Sequence, residues 1–240
     1  MLLEICASSY QSAINAQNAG AHRIELCSEL ALGGITPSYG LIKRVKDNLS
    51  IPVHVLIRPR SGNFTYSDEE FEIMKADIEL CKKMGCQGIV SGVLKSDNTI
   101  DVIRTQELIA LAKPLSFTFH RAFDWVENSF EALEVLKTID VNRILTSGKK
   151  STAQQGIELL KDLESKAQNQ LIILPGSGIN SENVFQFKEA GFKEIHCSAS
   201  TIHYVNKLGT IPMNSSVFFD EHILVHSDYD KIKKILASVS

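Results

Sequence analysis

Several side chains able to move protons or grip ions fall at the ends of short β-branched runs. Glu4 and Cys6 lie two apart in "LEICAS", and Glu25 and Cys27 repeat that spacing in "RIELCS". His120, Arg121 and Asp124 close the run "SFTFHRAFD", in which Phe117 and Phe119 alternate with Ser116, Thr118 and His120. An imidazole exchanges protons near neutral pH, and a carboxylate beside it can fix its tautomer. Glu4, Glu25, His120 and Asp124 are therefore candidate acid–base groups, with helix capping the plainer role for Asp124. Two thiolates held close would suit a soft ion such as Cu(I), although cysteine is also a common buried packing residue.

Two further stretches suit an anion. Arg58 and Arg60 flank Pro59 in "VLIRPRSGNFTYS", and a guanidinium fork matches carboxylate or phosphate. The plainer reading pairs Arg58 with Glu4 or Glu25. In "LPGSGI", Gly176, Ser177 and Gly178 form a turn in which backbone amides can approach a ligand, and Ser198 follows in "HCSAS". A simple tight turn is the alternative. His222 and His226, four apart, are a weaker metal pair. No lysine falls within a strand body, which weighs against Schiff-base chemistry.

What positions these groups is an alternation of strand and helix patterns along the whole chain. Strands are expected near 2–7, 22–27, 52–58, 88–93, 115–120, 142–147, 171–175 and 193–198. The intervening helices carry start signals: Thr36 before Pro37, the box Ser67–Glu70, and Asn180-Ser181-Glu182 ahead of a run stopped by Gly191. Eight βα units in 240 residues are the size of a TIM (β/α)8 barrel; an open doubly wound sheet is the alternative. We expect a single domain, a long loop over 199–228 after strand eight, and a final helix near 229–239. Phe218-Phe219 within that loop argues against full disorder.

Barrel parity then sorts the side chains. With the aliphatic and aromatic positions turned toward the helices, Glu4, Cys6, Arg23, Glu25, Cys27, His54, Leu56, Arg58, Thr118, His120, Glu194, His196 and Ser198 point inward. Strands four, six and seven give no clear parity. The lower layer, Arg23 with Glu194, reads as a structural salt bridge. The upper layer, at the strand C-terminal ends, reads as a ligand site.

Composition narrows the partners. A net charge of −3 with no basic run gives no support for nucleic acid or an anionic membrane, and no apolar run is long enough to span one. Five cysteines without zinc-type spacing, and an N-terminus with Glu4 inside its apolar stretch, fit a reduced, cytoplasmic protein. Cys81 and Cys86 read as packing residues.

The segments "IELC", "GGITPS", "IRPRSGNFTYS", "TFHRAFD" and "RILTSG" together resemble the CutC family, named for copper homeostasis, over nearly the whole chain. The resemblance implies a cytosolic TIM barrel, often self-associating as a dimer or tetramer, linked to Cu(I) binding. Cys6 and Cys27 match its strand-end cysteines. No organic cofactor is indicated. The chain departs from the family pattern at Ser177, where a glycine-like residue is usual, and at Ser200, where arginine is common. Two functions follow: copper handling through Cys6 and Cys27, or lyase- or isomerase-type acid–base chemistry on a small anionic metabolite, phosphorylated or not.

Overall fold

A computed structural model describes residues 1–205, 211 and 220–239. Eight parallel strands carry the architecture: β1 (Leu2–Ala7), β2 (Arg23–Leu26), β3 (Val53–Leu56), β4 (Gly88–Ser91), β5 (Ser116–Phe119), β6 (Arg143–Thr146), β7 (Ile172–Pro175) and β8 (Glu194–Cys197). Each pairs with its sequence neighbour from β1 to β7, and β8 pairs with β1. A parallel bridge between Gly176 and His196 joins the remaining edge. The sheet thus closes as a TIM barrel, as the alternation implied. Gly176 is close-packed at this seam, where an added Cβ would lie 2.6 Å from Leu145 Cδ1.

Helices cover the outside: α1 (Tyr10–Ala19), α2 (Tyr39–Asn48), α3 (Asp68–Lys83), α4 (Val102–Ala112), α5 (Ser129–Thr138), α6 (Ile157–Ala167), α7 (Val184–Glu189) and α8 (Tyr229–Val239). The sequence signals locate most of them. Ser67 and Glu70 form the reciprocal capping box of α3, and Ile232, Ile235 and Val239 bury the inner face of α8.

Two starts differ from expectation. Helix α2 is capped by Ser38, not Thr36, because the Thr36 hydroxyl accepts from the Arg58 amide at 2.9 Å and is occupied with the end of β3. Helix α7 begins only at Val184 and has six residues, because Asn180 and Asn183 bond within the preceding turn.

The segment after β8 is also more ordered at its ends than a loop. Strands β9 (Ser200–Tyr204) and β10 (Ile223–Ser227) pair antiparallel. The base of this ribbon is tied to β1 and α1: Ser227 Oγ donates to the Cys6 carbonyl at 3.3 Å, and Asn15 donates to the Ser227 carbonyl at 2.9 Å. Phe218 and Phe219 lie outside the described residues. No helix among the described residues is long and apolar enough to cross a membrane.

The packing between strands and helices is apolar throughout, with Leu3, Ile5, Ile24, Leu26, Val53, Val55, Phe117 and Phe119 all buried there. The inward parity read for strands one, two, three, five and eight is therefore the observed one. The barrel interior holds a smaller apolar group of Cys6, Cys27, Leu56 and Val90. Its remaining interior positions are largely polar.

Candidate metal and ligand site at the barrel mouth

The lower interior layer is a closed ionic network. Arg23 pairs with Glu4 through Nε and with Glu194 through Nη2 at 2.6 Å. Arg143, from β6, clasps Glu194 with two N–H groups at 2.7 and 3.1 Å. Two guanidiniums face two carboxylates, so the layer balances its charge. Burial alone would raise the Glu4 carboxyl. The charge of Arg23, then the hydrogen bond and charge of His196, outweigh it and hold Glu4 well below the usual carboxylate range. His54, buried above this layer, is pushed down to about 4 by burial first, so it is neutral at pH 7.

One layer up, the chemistry changes. Cys6 Sγ and Cys27 Sγ lie 3.7 Å apart, brought together by the β1–β2 register. The Cys6 thiol also approaches Glu25 Oε1 at 3.8 Å. His196 enters from β8, with Nδ1 2.8 Å from Glu4 Oε1 and 4.0 Å from Glu25 Oε2. Ligand atoms of Cys6, Glu25 and His196 all fall within 4.8 Å of one another.

Burial pushes the Glu25 carboxyl up to about 7, with the Glu4 charge adding to it against the pull of His196. The hydrogen bond with Cys27, then burial, raise the Cys6 thiol well above its ordinary value. Burial opposes a charged His196, but Glu25 and the hydrogen bonds to Cys6 and Glu4 outweigh it and raise the imidazole.

These groups form one end of a cavity of about 460 Å³ opening at the strand C-terminal ends. Its upper wall holds Arg58, Phe64, His120 and Trp125, and its rim holds Ser177, Gly178 and Ser198. His120 Nδ1 accepts from the Ala122 amide at 3.2 Å, which places the ring proton on Nε2. Burial, then the Arg58 charge, push this imidazole down to about 3. At neutral pH His120 is therefore an N–H donor.

Of the residues singled out from sequence, the structure gathers Cys6, Glu25, Arg58, His120, Ser177, Gly178 and Ser198 around this cavity. Cys27 sits directly behind Cys6. Four are placed elsewhere. Glu4 lies below, held by Arg23. Arg60 turns outward to Glu70 Oε1 at 2.5 Å. Gly176 is consumed by barrel closure. The Asp124 carboxylate accepts from Thr146 Oγ1 at 2.5 Å and from the Ser147 and Lys149 amides at 3.1 and 3.2 Å, and pairs with Arg121 at 2.8 Å. It neither orients His120 nor caps α5, which Asn128 caps.

Arg58 pairs with neither glutamate; three of its hydrogen bonds go to the carbonyls of Leu32, Gly34 and Gly62. Helix α7 starts only at Val184, so its N-terminus does not directly follow the Gly176–Gly178 turn. His222 bonds Asp220 at 2.8 Å, while His226 bonds Ser9 at 3.1 Å. His196, Arg143, Phe64 and Trp125 are not among the candidate site residues chosen from sequence. Inward parity marked His196, but its nearness to Cys6 follows only from β8 closing on β1.

The family model for CutC matches residues 1–201. The chain belongs to the CutC family. A mouse relative named copper homeostasis protein cutC homolog is 44% identical, the match covering 98% of this chain and 88% of the relative. A CutC family protein of Parabacteroides distasonis is likewise 44% identical, over 97% and 98% of the two chains. A Streptococcus agalactiae chain solved under the CutC name superposes with a TM-score of 0.78 at 35% identity, covering 82% of this chain and 98% of that one. Within this CutC barrel, both expected strand-end cysteines are present and face each other.

Proposed function

We propose that this CutC protein handles copper by binding Cu(I) as cargo between Cys6 and Cys27. The observation that carries the reading is the 3.7 Å separation of the two sulfurs. Two sulfurs sharing one ion through bonds of about 2.3 Å at a near-tetrahedral angle lie about 3.8 Å apart. The pair therefore needs little rearrangement to close on a soft ion. Thiolate sulfur selects Cu(I) over harder cations; the Glu25 carboxylate stands where a proton acceptor is needed, and the His196 imidazole becomes a third donor on losing its proton.

Binding must displace the Cys6 proton, so affinity rises with pH. All five cysteines are free and buried, which accords with a reduced, cytoplasmic setting. A self-associated dimer or tetramer belongs to the same proposal, and light scattering of the purified chain measures it.

The metabolite-enzyme reading gains less support. It assigned proton transfer to His120 with a glutamate, and His120 is held neutral with its free nitrogen protonated; of its anion-positioning residues, Arg60 and Gly176 lie outside the cavity, while Arg58, Ser177, Gly178 and Ser198 line it.

The test is an anaerobic Cu(I) titration against a competing colorimetric chelator. We expect the Cys6→Ser, Cys27→Ser double variant to lose at least about a hundredfold in affinity, the scale of losing two soft ligands. Equal affinity in the variant and the parent would overturn the proposal.

A further inference from the structure

A copper ion leaves most of the cavity unexplained. At about 460 Å³ it falls within the range of roughly 300–1,000 Å³ usual for small organic ligands. Its upper half is built differently from the thiol floor. The Phe64 ring lies 4.9 Å from both the His120 and Trp125 rings, centroid to centroid, and 5.1 Å below the Arg58 guanidinium carbon. Phe64 thus fixes one imidazole, one indole and one guanidinium around a common centre. Leu32 and Leu145 complete the apolar wall.

Two donors in this wall stand out. His120 is 5% exposed, and its Nε2 has no hydrogen-bond partner among the described residues. Arg58 is 6% exposed, and its Nε likewise has none. The other Arg58 hydrogen bonds go to neutral carbonyls, so no carboxylate among the described residues compensates its charge. A buried cation without a counter-ion is a costly arrangement for a folded chain to retain. A buried N–H without a partner is similarly rare.

His120 cannot relieve the imbalance by donating from its other nitrogen, because Nδ1 is committed to the Ala122 amide. A Cβ at Gly92 would lie 2.7 Å from Nδ1, so the imidazole is seated against bare backbone.

We propose that the upper half of this cavity binds a small organic anion, with an oxyanion group (carboxylate or phosphate) accepting from His120 Nε2 and neutralising Arg58 while its apolar body lies against Phe64 and Trp125. The site is distinct from the thiol pair beneath it and does not depend on the copper reading. His120 acts here as a donor that recognises the ligand, and no bond is made or broken.

Benzoate and phenyl phosphate are suitable probes because each joins an oxyanion to a flat apolar body, and they separate the two sources of the charge. Benzyl alcohol is the neutral control. Isothermal titration on the chelator-treated full chain should show saturable binding of at least one anion in the millimolar range or tighter, the scale expected for so few heavy atoms, and none of benzyl alcohol.

The informative variant is His120→Asn. His120 caps the short 3-10 helix Arg121–Trp125 through its Nδ1 acceptor; the asparagine amide oxygen can take over that cap, but its shorter amide N–H does not reach the place of Nε2–H. Its thermal midpoint should stay close to the parent's while anion affinity falls by about tenfold, the loss of one hydrogen bond to a charged group. Absence of binding by both anions to the parent, or equal affinity in His120→Asn, would overturn the proposal. In the Cys6→Ser, Cys27→Ser variant anion affinity should be retained within about twofold; its loss there would overturn the separation of the two sites. A failed copper titration would leave these outcomes untouched.

Discussion

The two interior layers of the barrel are built from the same residue types and differ in what has been satisfied. Below, Arg23, Arg143, Glu4 and Glu194 complete one another's hydrogen bonds within the chain. Above, Glu25 Oε2, Arg58 Nε and His120 Nε2 are buried and have no hydrogen-bond partner among the described residues. The contrast shows most clearly in two glutamates from neighbouring strands. Glu4 is held low by Arg23 and His196 despite its burial, whereas burial carries Glu25 up to about 7. A closed network is stability stored in the structure; an open one is capacity left for something from outside. Position along the barrel axis decides which a carboxylate becomes.

The sharpest way to break the comparison is to remove the hub of the lower layer. Arg23→Met leaves Glu4 and Glu194 short of a partner and should cost about 3–5 kcal/mol in urea unfolding; a cost below 1 kcal/mol would mean the layer is not the closed unit its geometry indicates.

The paired variants Glu4→Gln and Glu25→Gln should move stability in opposite directions. A depressed carboxyl stabilises the fold above its unfolded value, and that contribution is lost as pH falls toward the folded one. Glu4→Gln should therefore destabilise at pH 7, with the deficit shrinking below about pH 4. A raised carboxyl does the reverse: its ionisation opposes folding increasingly between the unfolded value and about 7. Glu25→Gln should thus be more stable than the parent at pH 8, by about 1–3 kcal/mol, and equal to it at acid pH. Unfolding curves across pH 4–8 decide both, and a shared sign would collapse the distinction between the layers.

A smaller effect is expected at His54, pushed down to about 4. Because its folded value lies below its unfolded one, it favours the fold above about pH 6.5 and loses that contribution as pH falls toward 4. His54→Gln should flatten the slope of stability against pH over that interval. The smallest effect belongs to Arg60→Ala. With its guanidinium turned to Glu70 on the surface, Cu(I) affinity should stay within about twofold of the parent.

How far the sequence could be read follows from where aliphatic residues sit. On β1, β2, β3, β5 and β8 they occupy alternate positions, so the polar set had one face to go to. On β6 and β4, Ile144 beside Leu145 and Ile89 beside Val90 give both parities equal claim, and Arg143 was lost with that ambiguity. His196 was assigned the right face but no partners, because its contact with Glu4 crosses 192 positions and exists only through closure. Asp124 misled for a different reason. A carboxylate four residues from a histidine looks local, yet the 3-10 turn between them directs it to the β6 loop. The ribbon strands β9 and β10 alternate as strands do, but the long stretch between them hid the pairing.

Closure by the last strand has a bearing on how the chain can be divided. Strand β1 is flanked on one side by β2 and on the other by β8, and its end is pinned by Ser227. A fragment ending before residue 194 would retain both sulfur-bearing strands while stripping Glu4 of its imidazole and Arg23 of its second carboxylate. The head of the polypeptide is thus fastened by its tail.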